Sequence, residues 1–134
     1  STRWAKELQS HSLSTIVNIS SLGAIQSFPS MGTYCAGKSA RNMFHLSLAK
    51  ECPSVQILNY APGPLKTDMM DQLLASETLD KSIQKSFREC QETGALIDPV
   101  TTSQKLVKVV LERNYQSGSH IDYYDLPSID DEVD

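Results

Sequence analysis

Ser21, Tyr34 and Lys38 are the residues of this chain whose types and spacing could do chemistry together. Tyr34 and Lys38 stand four apart, so on a helix their side chains share one face, a turn apart. A phenol with an ordinary pKa of about 10 is a poor proton donor at neutral pH. A lysine ammonium one turn away favours the phenolate, lowers that pKa, and keeps donors to spare for a cofactor's ribose hydroxyls. A serine hydroxyl facing the pair can hydrogen-bond a carbonyl oxygen and stabilise charge as it develops there. The combination fits reduction of a ketone, which needs a hydride on one face and a proton for the oxygen. A lone Tyr-x-x-x-Lys is common by chance, and serines often end strands in turns. The weight rests on the joint order: buried strand, serine, loop, Tyr-x-x-x-Lys opening a helix, second buried strand, then Pro-Gly.

The elements that must position these residues can be read from periodicity. Residues 1–9, with Trp4, Ala5 and Leu8 at helical spacing, read as the end of a helix. Residues 13–20 contain a continuous β-branched apolar run, as in a strand buried on both faces. Residues 23–33, punctuated by Gly, Pro and Ser, read as a loop. A helix from Thr33 or Tyr34 to about Glu51 stops before Pro53. Residues 55–60 form a second buried strand, ended by Ala61-Pro62-Gly63-Pro64. Short helices are expected over 68–74 and 80–92, with Gly94 as a cap, and a longer amphipathic one over 101–113. Residues 119–124 read as a last strand, and the acidic tail 126–134 as disordered. The order β-α-β-α-α-α-β, with long helical crossovers, predicts an α/β fold with a parallel sheet. Function in such sheets sits at the carboxyl ends of strands, where both Ser21 and Pro62-Gly63 fall.

Composition narrows the classes. The chain has 134 residues, 40% apolar and 21% charged, as in ordinary globular proteins. A net charge of -4 argues against a nucleic-acid or anionic-membrane surface. No apolar stretch reaches the roughly 20 residues of a membrane helix. Cys35, Cys52 and Cys90 form no CxxC pair, so reduced thiols in a cytoplasmic protein are expected. His11, His45 and His120 have no metal-ligand spacing, and no metal is expected.

Asn18-Ile19-Ser20-Ser21, Tyr34-Cys35-Ala36-Gly37-Lys38 and Asn59-Tyr60-Ala61-Pro62-Gly63-Pro64-Leu65 together resemble the short-chain dehydrogenase/reductase family. The Tyr34–Lys38 and Leu58–Leu65 strings, Thr67-Asp68-Met69 and the segment from Ser117 to Asp125 are similar to the family's pterin reductases in particular. The likeness runs from about Ile16 to Asp125. It implies the carboxyl-terminal portion of a Rossmann-like doubly wound parallel sheet, about three strands with flanking helices, with residues 1–125 as half of one reductase domain.

By the same resemblance Tyr34 would be the proton donor, Lys38 the holder of the nicotinamide ribose, and Ser21 the group that polarises the substrate carbonyl. Pro62, Gly63 and Leu65 would wall the nicotinamide of NADPH, and Thr67 would approach its phosphates. Asp122 would anchor a pterin ring through its amino-pyrimidinone edge, since a carboxylate accepts two such hydrogen bonds. The implied reaction is reduction of a pterin side-chain ketone in tetrahydrobiopterin biosynthesis, by a homodimer. Two alternatives stay open: another ketone substrate, or a non-catalytic family member acting through dimerisation. Asp122 as a solvated charge, Met69 as core, Cys35 as packing and His45 as structural are the plainer readings of those residues.

The chain lacks the family's Gly-rich phosphate turn, its NAD-or-NADP selecting residue and its Asn-Asn-Ala-Gly segment. The resemblance therefore implies that these 134 residues alone bind NADPH poorly and turn over little, to be checked by titration and steady-state assay. Turnover close to that of a full-length reductase would contradict this.

Overall fold

The computed structural model describes Arg3, Glu7 and residues 14–129. Arg3 and Glu7 are helical and form an exposed i,i+4 ion pair at 3.6 Å; the rest of the expected opening helix lies outside the described residues, as does 130–134 of the tail. Three strands, β1 (Thr15–Ile19), β2 (Gln56–Ala61) and β3 (His120–Asp122), make one sheet in the order β1-β2-β3, parallel throughout. The helices are α1 (Gly32–Glu51), α2 (Asp68–Leu74), α3 (Lys81–Glu92) and α4 (Pro99–Glu112). The expected α/β order is thus the observed one. Among the described residues no helix is long and apolar enough to cross a membrane.

β2 is the central strand. Five of its six residues are buried, with Ile57 and Leu58 at 0% exposure, because neighbouring strands flank it on both sides. Leu48 of α1 and Cys52 just past its end pack with Val55 and Ile57, and Ile16 and Ala49 close the cluster. Each such side chain contributes roughly 1.5–3 kcal/mol by leaving water.

Local chemistry explains where elements begin and end. Asp98 Oδ1 accepts from Val100 N at 2.7 Å, and Pro99 occupies the first helical turn, so α4 starts two residues earlier than its apolar periodicity indicates. Asp80 caps α3 through Ser82 N and Ile83 N. Past the end of α3, Gly94 N donates to Gln91 O and Ala95 N to Cys90 O, the paired bonds of a Schellman cap. The expected strand over 119–124 is shorter: β3 stops at Asp122, and Tyr123–Asp125 turn into a 3-10 helix. The expected 23–33 loop likewise holds a 3-10 turn at Leu22–Ala24, and α1 begins at Gly32.

Two contacts tie the last segment down. Lys105 of α4, 7% exposed, lies 3.8 Å over the Tyr123 ring and donates to Tyr123 O (3.4 Å) and Leu126 O (3.3 Å). Gly118, which leads into β3, passes so close to α1 that a Cβ there would lie 2.9 Å from Ala49 Cβ. Its φ of +88° is strained for any other residue as well, whereas Gly94 (φ +72°) has open space around it. Gly118→Ala should therefore cost about 2–3 kcal/mol and Gly94→Ala only about 1 kcal/mol, read from denaturant midpoints. Equal losses would show that the approach of α1 to residue 118 is not tight.

Candidate active site

Register brings the three strand ends together. Beyond β1, Ser20 N donates to Tyr60 O at 2.7 Å, so Ser20 continues the ladder and Ser21 emerges at the carboxyl end of the sheet. Ala61 is the register partner of Asp122, so the Pro62-Gly63 turn and Asp122 leave the sheet side by side. Ser21, Pro62 and Asp122 thus sit at the same end of adjacent parallel strands.

Tyr34 and Lys38 reach this end from the first turns of α1. Lys38 Nζ donates to Ile19 O at 2.9 Å, a residue before the serines, and lies 5.8 Å from the Tyr34 ring centroid. One ammonium proton is engaged in this way, leaving two donors without a hydrogen-bond partner among the described residues. Burial holds Lys38 below the usual lysine range, and the Arg41 guanidinium pushes the same way. Ser21 and Tyr34 meet around Gly23: a Cβ on Gly23 would lie 3.5 Å from Ser21 Oγ and 3.3 Å from Tyr34 Cε1. A side chain at Gly23 would press on the Tyr34 ring and the Cys35 thiol by a few tenths of an ångström. Ser21 Oγ also accepts from Gly23 N at 3.1 Å, which caps the 3-10 turn and orients the hydroxyl. Cys35 packs against Gly23 from the same side, and His45 Nδ1 bonds Arg41 O within its own helix.

Pro62, Gly63, Leu65 and Thr67 follow on the segment that leaves β2. Thr102 Oγ1 of α4 donates to Pro62 O (3.0 Å) and also meets the buried Tyr60 hydroxyl (2.8 Å). A Cβ on Gly63 would displace the tip of the Ile97 side chain, and the φ of +81° there favours glycine. Leu65 bridges Ile97 in parallel, with Ile97 N donating to Pro64 O and Lys66 N to Ile97 O. Thr67 precedes α2, half-buried, and its hydroxyl makes no capping bond there.

Asp122 does structural work of its own. Its Oδ1 accepts from Tyr124 N, and Asp125 Oδ2 accepts from Asp122 N, both at 2.9 Å, a reciprocal capping box. Oδ2 of Asp122 has no partner among the described residues.

A second set of residues under the site escaped the sequence reading. Asn18, Asn59 and His120 are register partners across β1, β2 and β3, and the two asparagines are at most 2% exposed. Asn59 Nδ2 donates to Gly118 O (3.0 Å) and its Oδ1 accepts from Asn18 Nδ2 (2.9 Å). Asn42 on α1 accepts from Ser20 Oγ (2.6 Å) and Asn18 Nδ2 (3.3 Å), and its own Nδ2 faces His120 Nδ1 at 2.9 Å. Burial pushes the His120 imidazole pKa down, against the pull of Asp122 and Asp125. The available signal was an asparagine inside the apolar run of each of two strands, since buried amides need partners.

The sheet, the serine at its strand end and the Tyr/Lys helix define a class, and residues 1–78 match the family model for short chain dehydrogenase. The chain belongs to that family. Among curated relatives it is 50% identical over 112 residues to sepiapterin reductase of Bos taurus, covering 83% of this chain and 41% of that protein. It is 48% identical over 113 residues to sepiapterin reductase of Rattus norvegicus, covering 84% and 42% respectively. The chain therefore spans about two-fifths of the length of these relatives. A solved short chain dehydrogenase/reductase from Saccharomyces cerevisiae superposes with a TM-score of 0.76 at 28% identity, over 83% of this chain and 46% of that one.

Proposed function

We propose that the complete protein is an NADPH-dependent carbonyl reductase acting on the side-chain ketone of a pterin such as sepiapterin, a step of tetrahydrobiopterin biosynthesis. Residues 1–125 then form the carboxyl-terminal half of its single reductase domain, with 126–134 as an acidic tail outside it. The observation that carries the reading is the convergence of Ser21 Oγ and the Tyr34 ring on Gly23, with Lys38 anchored to Ile19 O beneath them.

The residues here fit the nicotinamide-ribose end of the cofactor. Lys38 keeps two ammonium donors for ribose hydroxyls, Tyr34 is 36% exposed, and the Thr67 hydroxyl is not consumed by a cap. Bound NADPH supplies the hydride. Ser21 Oγ donates a hydrogen bond to the substrate carbonyl oxygen, holding it toward Tyr34. The Tyr34 hydroxyl gives its proton to that oxygen, and the adjacent Lys38 ammonium stabilises the phenolate left behind. Pro62, Gly63 and Leu65, held to α4 and to Ile97, form a fixed wall for the nicotinamide.

Pterin specificity falls to Asp122, whose Oδ2 faces no competing partner among the described residues. Exposed apolar side chains on the neighbouring turns, Leu22 (41%), Ile25 (63%) and Tyr124 (66%), suit a flat heterocycle. The exposed Met43 (62%) and Phe44 (50%) of α1 support a homodimer through that helix. Three free cysteines fit a reducing, cytoplasmic setting.

In the complete protein, Tyr34→Phe should lower turnover by about 10²–10⁴-fold while leaving the Kd for NADPH within about threefold, by stopped-flow and fluorescence titration. Surviving turnover would overturn the proton-donor assignment. Asp122→Asn keeps a good N-cap and removes the charge, so the fold should persist. Its KM for sepiapterin should rise about tenfold or more, with little change for a non-pterin diketone, as for loss of one charged hydrogen bond. Unchanged sepiapterin kinetics would favour another ketone substrate.

A further inference from the structure

Three residues of α1 grip the chain around Ser21 from one side. Lys38 Nζ holds Ile19 O, Ser39 Oγ donates to Ala24 O at 2.7 Å, and Asn42 Oδ1 accepts from Ser20 Oγ at 2.6 Å. The first belongs to the reaction itself. The other two fix the residues on either side of Ser21, and Asn42 alone connects that turn to a wider network.

The orientation of every amide in the network follows from one backbone carbonyl. Gly118 O can only accept, so Asn59 presents Nδ2 to it and Oδ1 to Asn18. Asn18 must then offer Nδ2, so Asn42 answers with Oδ1, which also takes the Ser20 hydroxyl proton. Asn42 Nδ2 is left to donate to His120 Nδ1, which makes the imidazole neutral with its proton on Nε2, an atom buried without a partner among the described residues. A protonated ring would set N–H against N–H at 2.9 Å. Asp122 and Asp125 are the charged groups acting on His120, while α1 and β2 meet it with the neutral Asn42 and Asn59.

We propose that Asn42 is a positioning residue for the reductase reaction: by holding Ser20 and bridging to His120, it fixes the Ser21 hydroxyl against Tyr34 and couples that turn to the β3 strand that carries Asp122. This rests on the carbonyl-reductase reading above. Asn42 touches neither substrate nor cofactor, and acts through Ser20.

The test uses the complete protein in two arms. In the first, Asn42→Ala removes the acceptor for Ser20, and kcat should fall at least tenfold with the Kd for NADPH unchanged, as expected for a misplaced catalytic hydroxyl. Asn42→Asp restores an acceptor for Ser20 and should recover most of that loss. The carboxylate also accepts from His120 Nδ1, so His120 should titrate at higher pH in this variant than in the parent. Full kcat in Asn42→Ala, or an Asp variant no better than Ala, overturns the proposal. In the second arm, 15N NMR of the unsubstituted protein should find His120 as the Nε2–H tautomer at neutral pH; an Nδ1–H tautomer overturns the proposal even if the variants fail to fold. A parent with the expected tautomer but no ketone reduction would instead overturn the reductase reading.

Discussion

Everything at the carboxyl end of this sheet depends on one buried pairing, the hydrogen bond between the Asn18 and Asn59 side chains. Two amides enclosed between a helix and neighbouring strands are costly to bury unless they meet, by about 1–3 kcal/mol for each group left unpaired. They meet only when Asn18 lies opposite Asn59, and a one-residue slip would turn each to the other face of the sheet. Hydrophobic pairing alone would tolerate Ile16, Val17, Ile57 and Leu58 in more than one arrangement. The amide pair specifies a single register, and the positions of Ser21 beyond β1 and of Pro62 beyond β2 are counted from it.

The second constraint is the attachment of α1 to that registered sheet. Leu48 and Cys52 seat its far end in the apolar cluster, while Lys38, Ser39 and Asn42 bind its near end to the Ile19–Ala24 backbone and Ser20. Ser21, Tyr34 and Lys38 therefore stand on a strand end and a long helix joined at both ends, a stiffer mounting than a loop supplies. On the other side Thr102 ties the Pro62 carbonyl to α4, so the wall opposite is held as firmly.

Much of this was legible in the chain. The β-branched run before Ser20, the four-residue step from Tyr34 to Lys38, and Pro62-Gly63 after a second apolar run each have a local cause, and local causes survive folding. Asp68–Leu74 appears at the expected bounds for the same reason. What could not be read depends on partners distant in sequence. Nothing near Asn42 reveals that it faces Ser20 and His120, 22 and 78 residues away. Tyr123 and Tyr124 favour extended structure by residue type. The reciprocal bonds of Asp122 and Asp125 override that preference and bend the chain after three strand residues. The early start of α4 was missed because periodicity registers apolar positions, whereas Asp98 and Pro99 act through the backbone.

Lys105 has a consequence for how the molecule opens. Among the described residues its ammonium meets no carboxylate and is balanced by two carbonyl dipoles of 123–126 and the face of Tyr123. Releasing either α4 or the 123–126 segment by itself would strand that charge in an apolar setting, so neither frays cheaply alone. Local unfolding should instead proceed as one cooperative unit that includes the end of β3, and amide exchange along α4 and the last strand would then share a common opening free energy.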